Sequence, residues 1–175
     1  GLPQRGEQNA RLGNQQALGL LGVTNTVGYK SLTLAFLIDA RFGGKIFSST
    51  HVYMQGNGSS SVTVVDGERK DMVVDGVIAD GSGNLGISEA NLYDASNVRV
   101  RNLQINYELP KKIFGNNFIQ RAKVGVSCNN LWMISSRMNG LDPESVFATG
   151  TNATGFENAS PPTNRVFLFN VSINF

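Results

Sequence analysis

The sequence predicts an all-β protein of antiparallel up-and-down strands, forming part of a transmembrane β-barrel. Three observations carry this. Apolar residues recur at every second position in five segments. The connections between those segments alternate short, long, short, long, as in barrels with tight periplasmic turns and extended outer loops. Charged residues are only 16% of the 175, while glycine contributes 20, which suits strands and polar loops better than a helical bundle.

The first segment spans residues 20–29. Leu21, Val23, Val27 and Tyr29 fall on one face; Gly22, Thr24, Thr26 and Gly28 fall on the other, and Asn25 interrupts the apolar row. The second, 31–42, alternates most cleanly. Leu32, Leu34, Phe36, Ile38, Ala40 and Phe42 oppose Ser31, Thr33, Ala35, Leu37, Asp39 and Arg41. The short link between the two predicts a tight hairpin. In the third, 97–109, Val98 and Val100 share one phase and Leu103, Ile105, Tyr107 and Leu109 the other. The phase change near Arg101-Asn102 predicts a β-bulge, and Pro110 ends the strand. The fourth, 118–131, sets Ala122, Val124, Val126 and Cys128 against Arg121, Lys123, Gly125, Ser127 and Asn129. The fifth, 165–175, alternates Phe167, Phe169, Val171, Ile173 and Phe175 with Val166, Leu168, Asn170, Ser172 and Asn174. Residues 43–96 and 132–164 become the long outer loops.

Other classes are disfavoured by what the sequence lacks. No apolar run reaches the roughly 18 residues of a membrane helix, but a barrel strand needs only about 9–11, alternately apolar. No apolar stretch follows Gly1-Leu2-Pro3-Gln4-Arg5, so an export signal is expected upstream of this chain. The net charge of +2, without a Lys/Arg block, gives no reason to expect nucleic acid. Cys128 stands alone, which excludes an internal disulfide, and reads as a small apolar strand residue. His51 lies far from it, so a Cys-His nucleophile is not expected. GxSxG, HExxH and metal-ligand clusters are missing, so neither enzyme activity nor a metal or other cofactor is expected. Asp66, Asp71, Asp75 and Asp80 do not match a calcium loop, and Asp142-Pro143-Glu144 reads as a turn.

The two faces divide the chemistry. In a barrel the apolar face meets lipid and the mixed face meets the lumen. Asp39, Arg41, Arg99, Arg101, Arg121 and Lys123 are then lumen-lining, more often paired with neighbours or a plug than touching substrate. In the outer loops, Trp132, Phe147 and Phe156 are candidates for contact with substrate or a lid, against plainer roles in loop packing or an interfacial girdle. The competing class is a soluble carbohydrate-binding β-sandwich, which also alternates. Strand length, loop alternation and the apolar final strand favour the barrel, since such a strand at a soluble edge invites aggregation.

Four stretches resemble the C-terminal region of SusC/RagA-type TonB-linked outer-membrane proteins of the Bacteroides group. They are Tyr29-Lys30-Ser31-Leu32-Thr33-Leu34 through Asp39-Ala40-Arg41-Phe42-Gly43-Gly44; Gly67-Glu68-Arg69 with Asp75-Gly76-Val77; Tyr93-Asp94-Ala95-Ser96-Asn97-Val98-Arg99-Val100-Arg101-Asn102-Leu103 through Tyr107-Glu108-Leu109-Pro110; and Asn129-Asn130-Leu131, Gly140-Leu141-Asp142-Pro143-Glu144 and Pro161-Pro162-Thr163-Asn164-Arg165 before the closing strand. Each motif is weak alone; their order and spacing are specific. The stretch between Asp75-Gly76-Val77 and Tyr93 is shorter than the family usually carries. The resemblance implies that residues 1–175 are the C-terminal portion of a barrel of roughly 22 strands, with the plug domain and earlier strands absent. It also implies an outer-membrane transporter of large nutrients, glycans or peptides, driven by TonB and capped by a SusD-like surface lipoprotein. Phe167, Phe169, Val171, Ile173 and Phe175 then resemble the signal read by the barrel-assembly machinery, by β-augmentation.

Overall fold

The computed structural model describes residue 7 and residues 9–69, 73–74, 77–78, 83–84, 88–115, 118–147 and 149–175. In chain order the elements are β1 (Gly19–Tyr29), β2 (Leu32–Phe42), β3 (Lys45–Ser48), α1 (Ser49–Gly56), β4 (Val64–Val65), β5 (Glu68–Arg69), β6 (Val73–Val74), β7 (Val77–Ile78), β8 (Gly83–Asn84), β9 (Leu92–Asp94), β10 (Asn97–Glu108), β11 (Arg121–Ser136), β12 (Phe156–Glu157) and β13 (Val166–Asn174), with short 3-10 turns between some of them. They form two compact units. One comprises Gly19–Phe42, Asn97–Ser136 and Thr163–Phe175; the other comprises Gly1–Leu18, Gly43–Ser96 and Arg137–Pro162.

The first unit is one antiparallel sheet of five long strands in the order β1-β2-β10-β11-β13. Strand alternation puts every second side chain on one face, and the register aligns those faces across the sheet. Val27, Leu34, Ile105, Val126 and Phe169 form one transverse apolar row; Tyr29, Leu32, Tyr107, Val124 and Val171 form the next. Asn25 joins Phe36, Leu103, Cys128 and Phe167 in a third. Between the apolar rows, on the opposite face, runs Gly28, Thr33, Asn106, Gly125 and Asn170. The two-residue turn between β1 and β2 puts Lys30 in the left-handed region at φ 53.

The phase change expected near Arg101 is real. Arg101 is an extra residue relative to β2, and Asn130 and Leu131 together oppose it on β11. The bulge lets Val98 and Val100 rejoin the face of Leu103 and Ile105. One boundary moves: the fourth strand, expected to end at 131, continues to Ser136, so Trp132 lies in a strand and not in a loop. It pairs with Val100, placing it on the apolar face. The reason is that two irregularities take up the residues breaking simple alternation after Asn129: the bulge at Arg101 takes up Asn130 and Leu131, and a second, between Val98 and Arg99, takes up Ile134.

The apolar face is uncovered within this unit. Phe169 is 82% exposed and Val27, Tyr29, Phe167, Val171 and Phe175 are exposed with it. Both edge strands, β1 and β13, are exposed along almost their whole length.

The second unit has an ordinary small core. Ile46, Ala95 and Met138 are fully buried, with Tyr93, Leu141 and Val146 packed against them. Its central sheet is β12-β3-β9, with β12 parallel and β9 antiparallel to β3. Helix α1 follows β3 directly because Ser48 caps it, accepting from His51 N at 3.1 Å. Among the described residues no helix is long and apolar enough to cross a membrane, which leaves crossing by strands open. Asp71, Asp75, Gly76 and Asp80 lie outside the described residues.

Candidate functional site

The polar face of the long sheet holds all six charged residues picked out by sequence. Asp39 and Arg41 alternate on β2, and Arg99 stands opposite Asp39. The bulge turns Arg101 back onto Asp39: its Nε donates to Oδ2 at 2.9 Å, and a terminal nitrogen makes a second contact to the same oxygen. Arg101 Nη1 also donates to Asn130 Oδ1 at 3.3 Å. Arg99 is only 2% exposed, and its Nη1 donates to Thr163 Oγ1 at 3.4 Å. At the opposite end, Arg121 pairs with Glu108, its Nε donating to Oε1 at 2.7 Å, and Lys123 stands opposite Glu108 and Ser172.

Amides fill the space between these charged ends. Asn102 Nδ2 donates to Asn129 Oδ1 at 2.7 Å, and Gln104 Nε2 to Asn106 Oδ1 at 3.4 Å. Asn170 Nδ2 reaches the same Asn106 oxygen at 3.5 Å across Gly125. A Cβ at Gly125 would collide with both Asn106 Oδ1 and Asn170 Oδ1, so the glycine supplies the notch in which the two amides meet. Such a wall offers donors and acceptors throughout and carries charge at its ends.

The three aromatics part company. Phe147 and Phe156 come together in the second unit, where Phe147 N donates to Phe156 O at 2.7 Å. Phe156 also packs edge-on against Phe47, centroids 6.2 Å apart, on a cleft of about 550 Å³ that Leu12, Gln15, Lys45 and Leu92 help to line. Trp132, 59% exposed, belongs to the apolar face of the other unit.

Sequence reasoning missed the second unit's buried polar tie. Glu157 is 2% exposed and accepts from Ser48 Oγ at 2.8 Å, from Thr50 N at 3.4 Å and from the Thr50 hydroxyl. Thr50 Oγ1 in turn accepts from Ala159 N at 2.8 Å. Nothing in the local pattern flags Glu157, because its partners lie about a hundred residues earlier. Nearby, hydrogen bonds from Ser96 hold the Asp94 carboxyl below the usual carboxylate range, helped by Lys45 and Arg137. Among the described residues no cluster of His, Cys, Asp and Glu could hold a metal ion.

No family model matches the chain. The TonB-dependent receptor P3 of Formosa agariphila is 26% identical over 161 residues, which cover 89% of this chain and 16% of that protein. The RagAB peptide importer in its open-open state matches 89% of this chain with a TM-score of 0.61 at 20% identity. The likeness to the importer is one of fold, to a sector of its barrel. The closed-closed state of the same importer gives a TM-score of 0.59 at 21% identity. The segment spans 17% and 16% of those two solved chains, so most of such a barrel lies outside it. In fold, its five-stranded sheet is a sector of barrel wall.

Proposed function

We propose that this chain is the C-terminal wall sector of a SusC/RagA-type transporter of the outer membrane that imports large nutrients, glycans or peptides, without enzymatic activity of its own. The observation that carries the reading is the two-faced sheet. One face is apolar and exposed; the other is a continuous hydrogen-bonding surface ending in charged pairs. That division suits a wall between lipid and an aqueous lumen. Asp39, Arg41, Arg99, Arg101, Arg121 and Lys123 then line the lumen. TonB acts through a plug outside this chain, and a SusD-like lipoprotein contacts the outer loops, where Phe147 and Phe156 are the aromatic candidates. Trp132 is better suited to an interfacial aromatic belt on the lipid face than to substrate.

The soluble carbohydrate-binding module is disfavoured by the same face, whose exposed aromatic rows would cost solubility. The terminal apolar row from Phe167 to Phe175 also supports a role in assembly. The test deletes the full-length gene and measures growth and uptake on oligosaccharide and oligopeptide panels. Loss of uptake of one class, restored by the gene and dependent on TonB, is the expected result. Unchanged uptake of every class, or a full-length protein that leaves the membrane without detergent, would overturn the reading.

A further inference from the structure

The register of β13 is a problem that its own sequence does not solve. Moving a strand by one residue flips every side chain to the wrong face, so alternation rejects odd slips. It does not reject a slip of two. Cys128, Val126, Val124 and Ala122 stand opposite Phe167, Phe169, Val171 and Ile173, and an even slip still pairs apolar with apolar. The first four residues of β13, Val166 to Phe169, are all apolar and blur even the face assignment.

Two features off the apolar face discriminate where the pattern cannot. The first is the glycine notch. Asn170 sits opposite Gly125 and lies where a Cβ would be, touching Asn106 beyond it. A slip of two would set Asn170 against Ser127 or Lys123, which have side chains of their own. The second is Asn130. It occupies the left-handed region at φ 52, which asparagine tolerates better than most residues. Its Oδ1 accepts from Arg101, which Asp39 holds, and its Nδ2 donates to Asn164 O at 3.0 Å, two residues before β13 begins. A slip of two moves that carbonyl by about 6–7 Å, far outside hydrogen-bond reach.

We propose that Asn130 and the Asn170–Gly125 notch are register pins that fix β13 against two-residue slippage, and with it the stagger this seam contributes to the barrel. In a closed barrel the summed stagger sets strand tilt and cross-section, so a slipped seam alters the lumen far from the pins. This rests on the barrel assignment alone and not on any substrate.

The test is disulfide trapping in the full-length protein in outer membranes, with Cys128→Ala to remove the native thiol. Cysteine pairs at Ser127 and Leu168 report the native register; pairs at Ser127 and Val166, or at Lys123 and Asn174, report slips of two in either direction. With the pins intact, only the native pair should cross-link. Combining Asn130→Gly, which keeps the backbone conformation, with Asn170→Ala should raise a slipped pair several-fold, to a yield comparable with the native one. Gly125→Ala, which fills the notch, should reproduce the effect of Asn170→Ala in that combination. Persistence of the native cross-link alone would overturn the proposal. So would loss of every cross-link, because Asn130 would then be needed for docking of the strand and not for its register.

Discussion

Single residues in the second unit carry more than their neighbours in sequence suggest. Glu157 satisfies the buried Ser48 hydroxyl and the part-buried hydroxyl and backbone N–H of Thr50 at the start of α1. Glu157→Leu strands those donors and should destabilise the unit by about 3 kcal/mol, whereas Glu157→Gln keeps an acceptor and should cost less. Hydrogen exchange across residues 48–51 in the full-length protein measures both; equal protection in the two variants would contradict the role. Asp94 gives a pH dependence with a definite sign. Its folded carboxyl titrates below the ordinary value of 3.8, so its contribution is complete above that pH and is lost as pH falls through the lower folded value. After correction for intrinsic rates, protection of the Ser96 amide, bound to Asp94 Oδ1 at 2.8 Å, should stay level from neutral pH to about pH 5 and decline only in strong acid. A decline already complete at pH 5 would contradict it.

At the scale of the strand, face decides the cost of a charge. Val126 stands on the exposed apolar face, and Ser127 on the amide face. On the proposed wall reading, Val126→Arg should cost about 2–4 kcal/mol if it meets the middle of the bilayer, while Ser127→Arg on the lumen face should assemble nearly normally. Comparing outer-membrane levels of the two variants checks this, and equal depletion would sink the lipid-facing assignment. This contrast was legible in the sequence because period-two alternation is local: Leu32 to Phe42 declares both faces unaided. The bulge was legible too, as a phase change between Val100 and Leu103. The end of β11 was not. Two irregularities within eight residues hide the continuation from 131 to 136, and so Trp132 passed for a loop residue. The amide wall was half legible: Asn129 and Asn130 stood in a quoted motif, but the partners Asn102, Asn164 and Arg101 are brought to them only by pairing across strands. The Glu157 tie depends on a parallel contact between distant segments, which no local periodicity encodes.

For the whole chain, the two open edges of the sheet dominate its behaviour. A barrel closes such edges, and a five-stranded sector cannot. The 175-residue polypeptide made alone should therefore require detergent and run in size-exclusion as oligomers; a monodisperse monomer in plain buffer would refute the assignment of its apolar face. The second unit has a different freedom. Gly43 N donates to Ser96 Oγ at 2.8 Å and Ala95 N donates to Gly44 O at 3.0 Å, so a long excursion begins and ends within a hydrogen bond of itself. Closing a longer excursion at that point costs little, since each doubling of length adds only about 0.6 kcal/mol. The root between Gly43 and Ser96 is therefore a graft point. A longer excursion can be hung there so long as it keeps the surface that packs on Met138 and the hydroxyls that Glu157 holds.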